Sequence, residues 1–135
     1  MKKSTIILVV FLSILISPIA KAYDNLLFVT ITSENCSACQ KLRPVLEELE
    51  WEYGTEITFL TLDVSTRSSI EDAKQKAEDN GIVDFFNKNK NSVPKVGILC
   101  PGGKVEKVFL GETRLQIYKE TLDRLLSSNV ELCSL

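Results

Sequence analysis

TSENCSACQKLRP, residues 32–44, sets two cysteines two residues apart between an apolar run and a stretch of helical spacing. Upstream, residues 26–31 (LLFVTI) are apolar and rich in β-formers, the pattern of a strand covered on both faces. Downstream, Leu42, Val45, Leu46 and Leu49 recur at helical spacing and predict a helix over residues 37–51. Cys36 then falls at the end of the loop and Cys39 inside the first helical turn. A helix N-terminus offers unpaired N–H groups and the positive end of a dipole, both of which stabilise a thiolate. Such a pair reads as a redox dithiol, as half of a metal site or as a structural staple.

The compartment bears on the choice. Residues 1–22 read as a signal peptide: Lys2 and Lys3 give a positive start, residues 6–16 are apolar apart from Ser13, and Pro18 breaks the run. Ala20-Lys21-Ala22 supplies small residues at the two positions a signal peptidase inspects. The run is shorter than the roughly 18 to 20 apolar residues of a spanning helix, so cleavage near Tyr23 is expected rather than an uncleaved anchor, with no stable membrane insertion afterwards. Periplasmic export is the first expectation and secretion the second. Residues 23–135 then form one domain, because 113 of the 135 residues suffice for a single core and no repeat or long linker divides them. The leader carries three lysines and no acid, so its loss takes the formal charge from −2 to −5. An acidic chain of this kind is not a nucleic-acid binder, since phosphate contacts need a basic surface. All four cysteines lie in the exported part, where stable disulfides are permitted.

The remaining elements follow from local pattern. Residues 57–62 (ITFLTL) predict a second buried strand, and the strand–helix–strand unit implies a right-handed parallel pair. Ser68-x-x-Glu71 has the form of a capping box that opens a helix ended by Asn80-Gly81. Phe85 and Phe86 mark a short apolar segment before the polar residues 87–92. Residues 95–99 and 105–110 predict two strands joined through Pro101-Gly102-Gly103 as a hairpin. Thr113-x-x-Gln116 has the form of another capping box. Beyond it, Leu115, Tyr118, Leu122, Leu125 and Leu126 form the apolar stripe of a last helix. The aromatic clusters and the stripe are read as core. The order β-α-β-α-β-β-α describes an α/β sandwich with a four-stranded mixed sheet flanked by helices.

As an oxidoreductase pair, Cys36 acts as the nucleophile with a stabilised thiolate, and Cys39, three residues on, resolves the mixed disulfide with a substrate. A structural zinc site wants four ligands, commonly paired cysteines or histidines. The chain has no histidine, and Cys100 and Cys133 are single and far apart, so no metal is expected. A staple from Cys36 to Cys39 would close too small a loop to restrain much of the unfolded chain.

From Leu26 to Leu126 the chain resembles the thioredoxin superfamily. The likeness rests on the strand leading into Cys36-Ser37-Ala38-Cys39, on Pro44 five residues after the second cysteine, on Val93-Pro94 before a strand, and on Gly102-Gly103 followed by Gly111. It implies a minimal thioredoxin-like fold and thiol–disulfide exchange with cysteine-containing exported proteins. It also implies that Val93-Pro94 is a cis peptide and that the Val93 backbone pairs with an extended substrate segment. No external cofactor is implied, because the dithiol carries two electrons, but a redox partner must reset the pair. A monomer is expected. The chain departs from thioredoxin at Asn35, where the family has an aromatic residue. It departs again at Thr30, where a buried acid helps the resolving thiol lose its proton, and at Ser37-Ala38 between the cysteines. The segment from Asp63 to Pro94 is longer, mostly through the helix near residues 71–79, and is expected to cap the sheet. A reading from another class is a non-catalytic interaction module that keeps the fold and binds a partner in its groove.

In the fold so implied, the third strand runs away from the cysteine pair and the last helix returns to that far end. A structural Cys100–Cys133 disulfide is therefore expected, tying the tail to the hairpin; the competing readings are a second redox couple or an intermolecular link.

Overall fold

The structure, a computed structural model, describes residues 25–128 together with Cys133. The expected signal peptide, residues 1–22, lies outside the described residues. Four strands, β1 (Leu26–Thr32), β2 (Ile57–Asp63), β3 (Lys95–Leu99) and β4 (Val105–Leu110), form one sheet in the order β2-β1-β3-β4. β1 pairs parallel with β2 and antiparallel with β3, and β4 completes the hairpin. The helices are α1 (Ser37–Tyr53), α2 (Arg67–Asp79), α3 (Val83–Asn89) and α4 (Leu115–Ser127). This is the expected mixed α/β sheet, with α3 added.

The alternation of side chains along β1 explains why that strand is buried over its first six residues. Leu26 and Phe28 face α1 and α4, where they pack with Leu49, Ile98 and Tyr118. Leu27, Val29 and Ile31 face α2 and α3, against Ala77, Phe85 and Phe86. On the first face, Phe28 stacks on Phe59 at 4.9 Å and meets Tyr118 edge-on at 5.6 Å. The Tyr118 hydroxyl donates to the Glu112 carbonyl at 2.8 Å, so a buried phenol ties α4 to the turn before it. Tyr53 donates to Asp123 at 2.6 Å and Lys119 reaches Glu52 at 2.5 Å, joining α1 to α4. Burial, then the bond to Asp123, pushes the Tyr53 hydroxyl far above its ordinary ionisation range.

The helix boundaries correct two sequence readings. α2 starts at Arg67, one residue before the expected box, because Thr66 and Ser69 cap reciprocally: the Ser69 N–H donates to Thr66 Oγ1 at 3.0 Å and the Thr66 N–H to Ser69 Oγ at 2.8 Å. It ends as expected at Asn80-Gly81, where Gly81 at φ 69° lets the Ile82 N–H reach back to the Ala77 carbonyl at 2.8 Å. Thr113 and Gln116 form no capping box. The Glu112 carboxylate instead accepts from the N–H groups of Thr113 (3.0 Å) and Arg114 (2.9 Å). α3 escapes sequence reading because seven residues with two adjacent phenylalanines give no helical stripe.

Gly97 fixes how closely α3 approaches the sheet. A Cβ there would run into the Phe85 ring, whose Cε2 would lie 2.8 Å away, and would stand 2.8 Å from Leu99 Cδ1. Gly97→Ala is expected to cost about 1–3 kcal/mol through overpacking. Adding Phe85→Leu is expected to recover part of that loss, so the two changes are non-additive in urea denaturation. Additive losses would mean that Phe85 is not what the new methyl strikes.

Candidate functional site

The site grows out of the C-terminal end of β1. After Thr32 the chain turns through Ser33, Glu34 and Asn35 and enters α1 at Cys36, which occupies the N-cap with extended backbone (φ −112°, ψ 112°). The Cys36 carbonyl accepts the Gln40 N–H at 3.1 Å, starting the helix. Its sulfur accepts the Cys39 N–H at 3.1 Å, filling the role that a serine or aspartate oxygen has in an ordinary cap. One of the orphan donors of the helix start thus points at this sulfur. Cys36 and Cys39 are joined as a disulfide with Cα atoms 5.1 Å apart. Cys36 is half-buried, whereas Cys39 is only 5 % exposed, so the two sulfurs differ in access from solvent.

The turn that presents Cys36 is held from both sides. The Glu34 N–H donates to Ser65 Oγ at 2.7 Å, and Gln40 Nε2 donates to the Glu34 carbonyl at 3.1 Å. Ser65 is oriented in turn by Asp63, whose carboxylate accepts from the Ser65 N–H at 2.8 Å and from the Ser65 hydroxyl. The β2–α2 connection therefore clamps the loop before the cysteines. Sequence reading passed over Ser65, Asp63 and Gln40. Asp63-x-Ser65 directly after a strand was the available signal, since an aspartate there can accept the N–H two residues on.

Val93-Pro94 is a cis peptide, and Pro94 is buried at the head of β3. Lys95 pairs with Ile31 across the sheet, so Pro94 stands at the same end of the sheet as the turn leading to Cys36. The Pro94 carbonyl accepts the Gly111 N–H at 3.0 Å, with Gly111 at φ 67°. A side chain at Gly111 would strain that positive φ. Thr30 is 2 % exposed and stands opposite Thr61 and Val96. A cleft of about 320 Å³ opens beside Cys39 between α1 and the ends of β1 and β2, with Asp63, Glu47, Glu50 and Arg43 among its walls. Among the described residues, no three His, Cys, Asp or Glu side chains gather as a metal site, and no helix is long and apolar enough to cross a membrane. Cys100 and Cys133 form the second disulfide, with Cα atoms 5.3 Å apart. Cys100 follows Leu99, which pairs with Leu27 at the start of β1, so this bond sits at the other end of the sheet from Cys36.

Glu112, next to Gly111, makes the entry to α4 sensitive to acid. Its bonds to the Arg114 side chain and backbone hold its carboxyl down to about 2. A carboxylate that ionises more easily when folded adds stability above its unfolded value near 4.5, and that stability is lost as pH falls toward 2. Glu112→Gln is expected to lower stability by about 1 kcal/mol at neutral pH. The deficit should shrink below pH 4.5, which urea midpoints at several pH values would read. A deficit constant down to pH 2 would assign it to packing instead.

A thioredoxin family model matches residues 17–108 of the chain. Solved structures with this fold include thioredoxin O2 from Arabidopsis thaliana in its oxidised state, 19% identical over 76% of each chain with a TM-score of 0.54. Fasciola hepatica thioredoxin is 23% identical, covering 75% of this chain and 81% of its own at a TM-score of 0.53. Oxidised thioredoxin from Plasmodium falciparum is 20% identical, covering 76% and 82% at 0.52. No curated protein sequence matches. At these identities the structures speak for the fold, and the family model speaks for descent over two thirds of the chain: it belongs to the thioredoxin family.

Proposed function

We propose that the protein is a thiol–disulfide oxidoreductase that exchanges disulfides with exported proteins in the periplasm. The observation that carries this reading is the Cys36 sulfur at the mouth of α1, accepting the Cys39 N–H and bonded to the Cys39 sulfur. In the reduced protein, the Cys36 thiolate attacks a client disulfide. The client S–S bond breaks, a Cys36–client bond forms, and the departing client sulfur takes a proton. Cys39 then loses its proton and attacks the Cys36 sulfur, which releases the second client thiolate and regenerates the Cys36–Cys39 disulfide. Two electrons have passed to the client. The same steps in reverse oxidise a client dithiol, and 30 mV between the couples corresponds to about 1.4 kcal/mol. No further cofactor is needed, and a separate redox partner resets the pair.

Val93 and Pro94 hold the client beside the sulfur, with the Val93 backbone adding to an extended client segment. The Cys100–Cys133 bond has a structural role. Export is supported by the charged start, short apolar run and Ala-Lys-Ala site of residues 1–22. Buried, uncharged Thr30 favours a second reading, a docking module that no longer turns over. Expressing Cys39→Ser in the exporting cell and isolating mixed disulfides separates the two readings. Clients bonded through Cys36 support the oxidoreductase, whereas tight partners without any sulfur bond support the module.

A further inference from the structure

We infer that a lysine-rich rim on the Pro94 side of the site selects clients whose disulfide is flanked by aspartate or glutamate, an inference that rests on the oxidoreductase reading. Residues 88–95 (KNKNSVPK) run from the last turn of α3 through the cis peptide into β3 and carry Lys88, Lys90 and Lys95 with no acid among them. Lys95 stands at the site, and Lys88 and Lys90 lie six and four residues before Pro94 in the segment that leads to it. α3 is seated on the sheet by Phe85 and Phe86 in the second core, and Lys95 follows Pro94 directly, in register with Ile31. Lys88 is exposed and the other two are half-buried. Among the described residues none of the three forms an ion pair, whereas Lys74, Lys104, Arg114 and Lys119 all do. Lys90 Nζ instead lies 5.8 Å from the centre of the Phe86 ring, which leaves its charge uncancelled.

Most acids of the site gather on the β2 side of β1, across that strand from β3 and Pro94. Lys41 and Arg43 are exposed on α1 close after the cysteines. Glu34, Glu47, Glu50 and Asp63 line the cleft on the β2 side, Glu112 is held by Arg114 at 2.7 Å, and Asp84 is exposed on α3, four residues before Lys88. A positive rim on a chain of net negative charge is a local feature that overall composition conceals. Such a field raises the encounter rate of oppositely charged partners by roughly 10- to 1000-fold at low salt and fades as salt is added. Val93, along which the client strand would lie, falls between Lys90 and Lys95 in sequence, so residues flanking the client disulfide meet these charges.

Three peptides that share a central disulfide and differ only in flanking Glu, Ser or Lys test this. Each exchange rate with the reduced protein is divided by that peptide's rate with 2-mercaptoethanol, to remove its intrinsic reactivity. Serine-for-cysteine versions of the peptides report binding by fluorescence anisotropy. The expected result is a Glu-over-Lys preference of about tenfold or more in 20 mM salt that collapses in 500 mM salt. Lys88→Gln/Lys90→Gln/Lys95→Gln should lower the ratio at least fivefold. Lys76→Gln/Lys107→Gln/Arg124→Gln, with equal charge loss elsewhere, should leave it unchanged. A ratio near one, or equal losses in both triple variants, overturns the inference. Absence of exchange with a preserved Glu-over-Lys binding preference overturns the redox reading and keeps the rim.

Discussion

Cys36→Ser is expected to drop disulfide exchange to the uncatalysed background, whereas Cys39→Ser should still attack a model disulfide once and then stall as a mixed disulfide. The asymmetry follows from position. Cys36 caps α1 and is half-buried, so its sulfur meets both solvent and the orphan Cys39 N–H. Cys39 is buried a turn inside and can reach only the neighbouring sulfur or the cleft beside it. The N–H group and the helix dipole favour the anionic sulfur. Reduced Cys36 should therefore be alkylated by iodoacetamide at a lower pH than free cysteine, with Cys39 reacting more slowly. Mass spectrometry of the labelled peptides after short exposures would read both. Equal labelling at the two positions, or a Cys36 profile no different from free cysteine, would remove the basis for assigning roles.

The same reaction depends on groups that local sequence reading could not assemble. The Cys36/Cys39 spacing, the strand before it and the stripe of α1 were legible because each is a short-range pattern: a strand buried on both faces, a helix start, a 3.6-residue period. Val93-Pro94 needed the family resemblance, since nothing in a dipeptide distinguishes cis from trans. Ser65 and Asp63 stayed hidden for another reason. They act on Glu34 from about 30 residues away, through a bond that exists only once β1 and β2 pair in register. The capping residues failed where two candidates competed within a turn. Thr66 and Ser69 closed a reciprocal box ahead of Ser68 and Glu71, and Glu112 reached the α4 N–H groups from outside the expected position. Pattern reading locates a helix start to within a residue or two, and tertiary contacts decide which side chain serves it.

This long-range clamp also bears on Asn35 and Thr30, two of the departures from the thioredoxin pattern. Thr30 is buried and uncharged, so no acid from β1 lies beneath the cysteines. The charges near Cys39 come instead from Asp63 at the end of β2 and from Glu47, Glu50 and Arg43 on α1, around an open cleft. That cleft opens to solvent beside Cys39, away from the β1 interior. The Asp63 carboxylate that wall provides is at the same time the anchor of Ser65. Presentation of Cys36 and access to Cys39 thus share one side chain.

Removing the other disulfide should separate stability from activity. Cys100→Ala/Cys133→Ala opens a loop whose ends are 33 residues apart in sequence. By the loop-entropy relation this costs about 3–4 kcal/mol, or roughly 12–25 °C in melting temperature for a domain of this size. The Cys36–Cys39 bond has a sequence separation of only 3, so breaking it frees little of the unfolded chain and leaves the fold standing during turnover. Cys100 is buried in the core between the sheet, α1 and α4, with Cys133 packed against it. That position is at the opposite end of the sheet from Pro94. Exchange with a model disulfide at 25 °C should accordingly stay within about twofold of the parent while the double variant remains folded, because distant sites act nearly independently. A parent-like melting temperature would deny the bond its role as a staple. A folded variant with exchange lost would place Cys100 and Cys133 in the electron path, and two thiol pairs would then have to work in series.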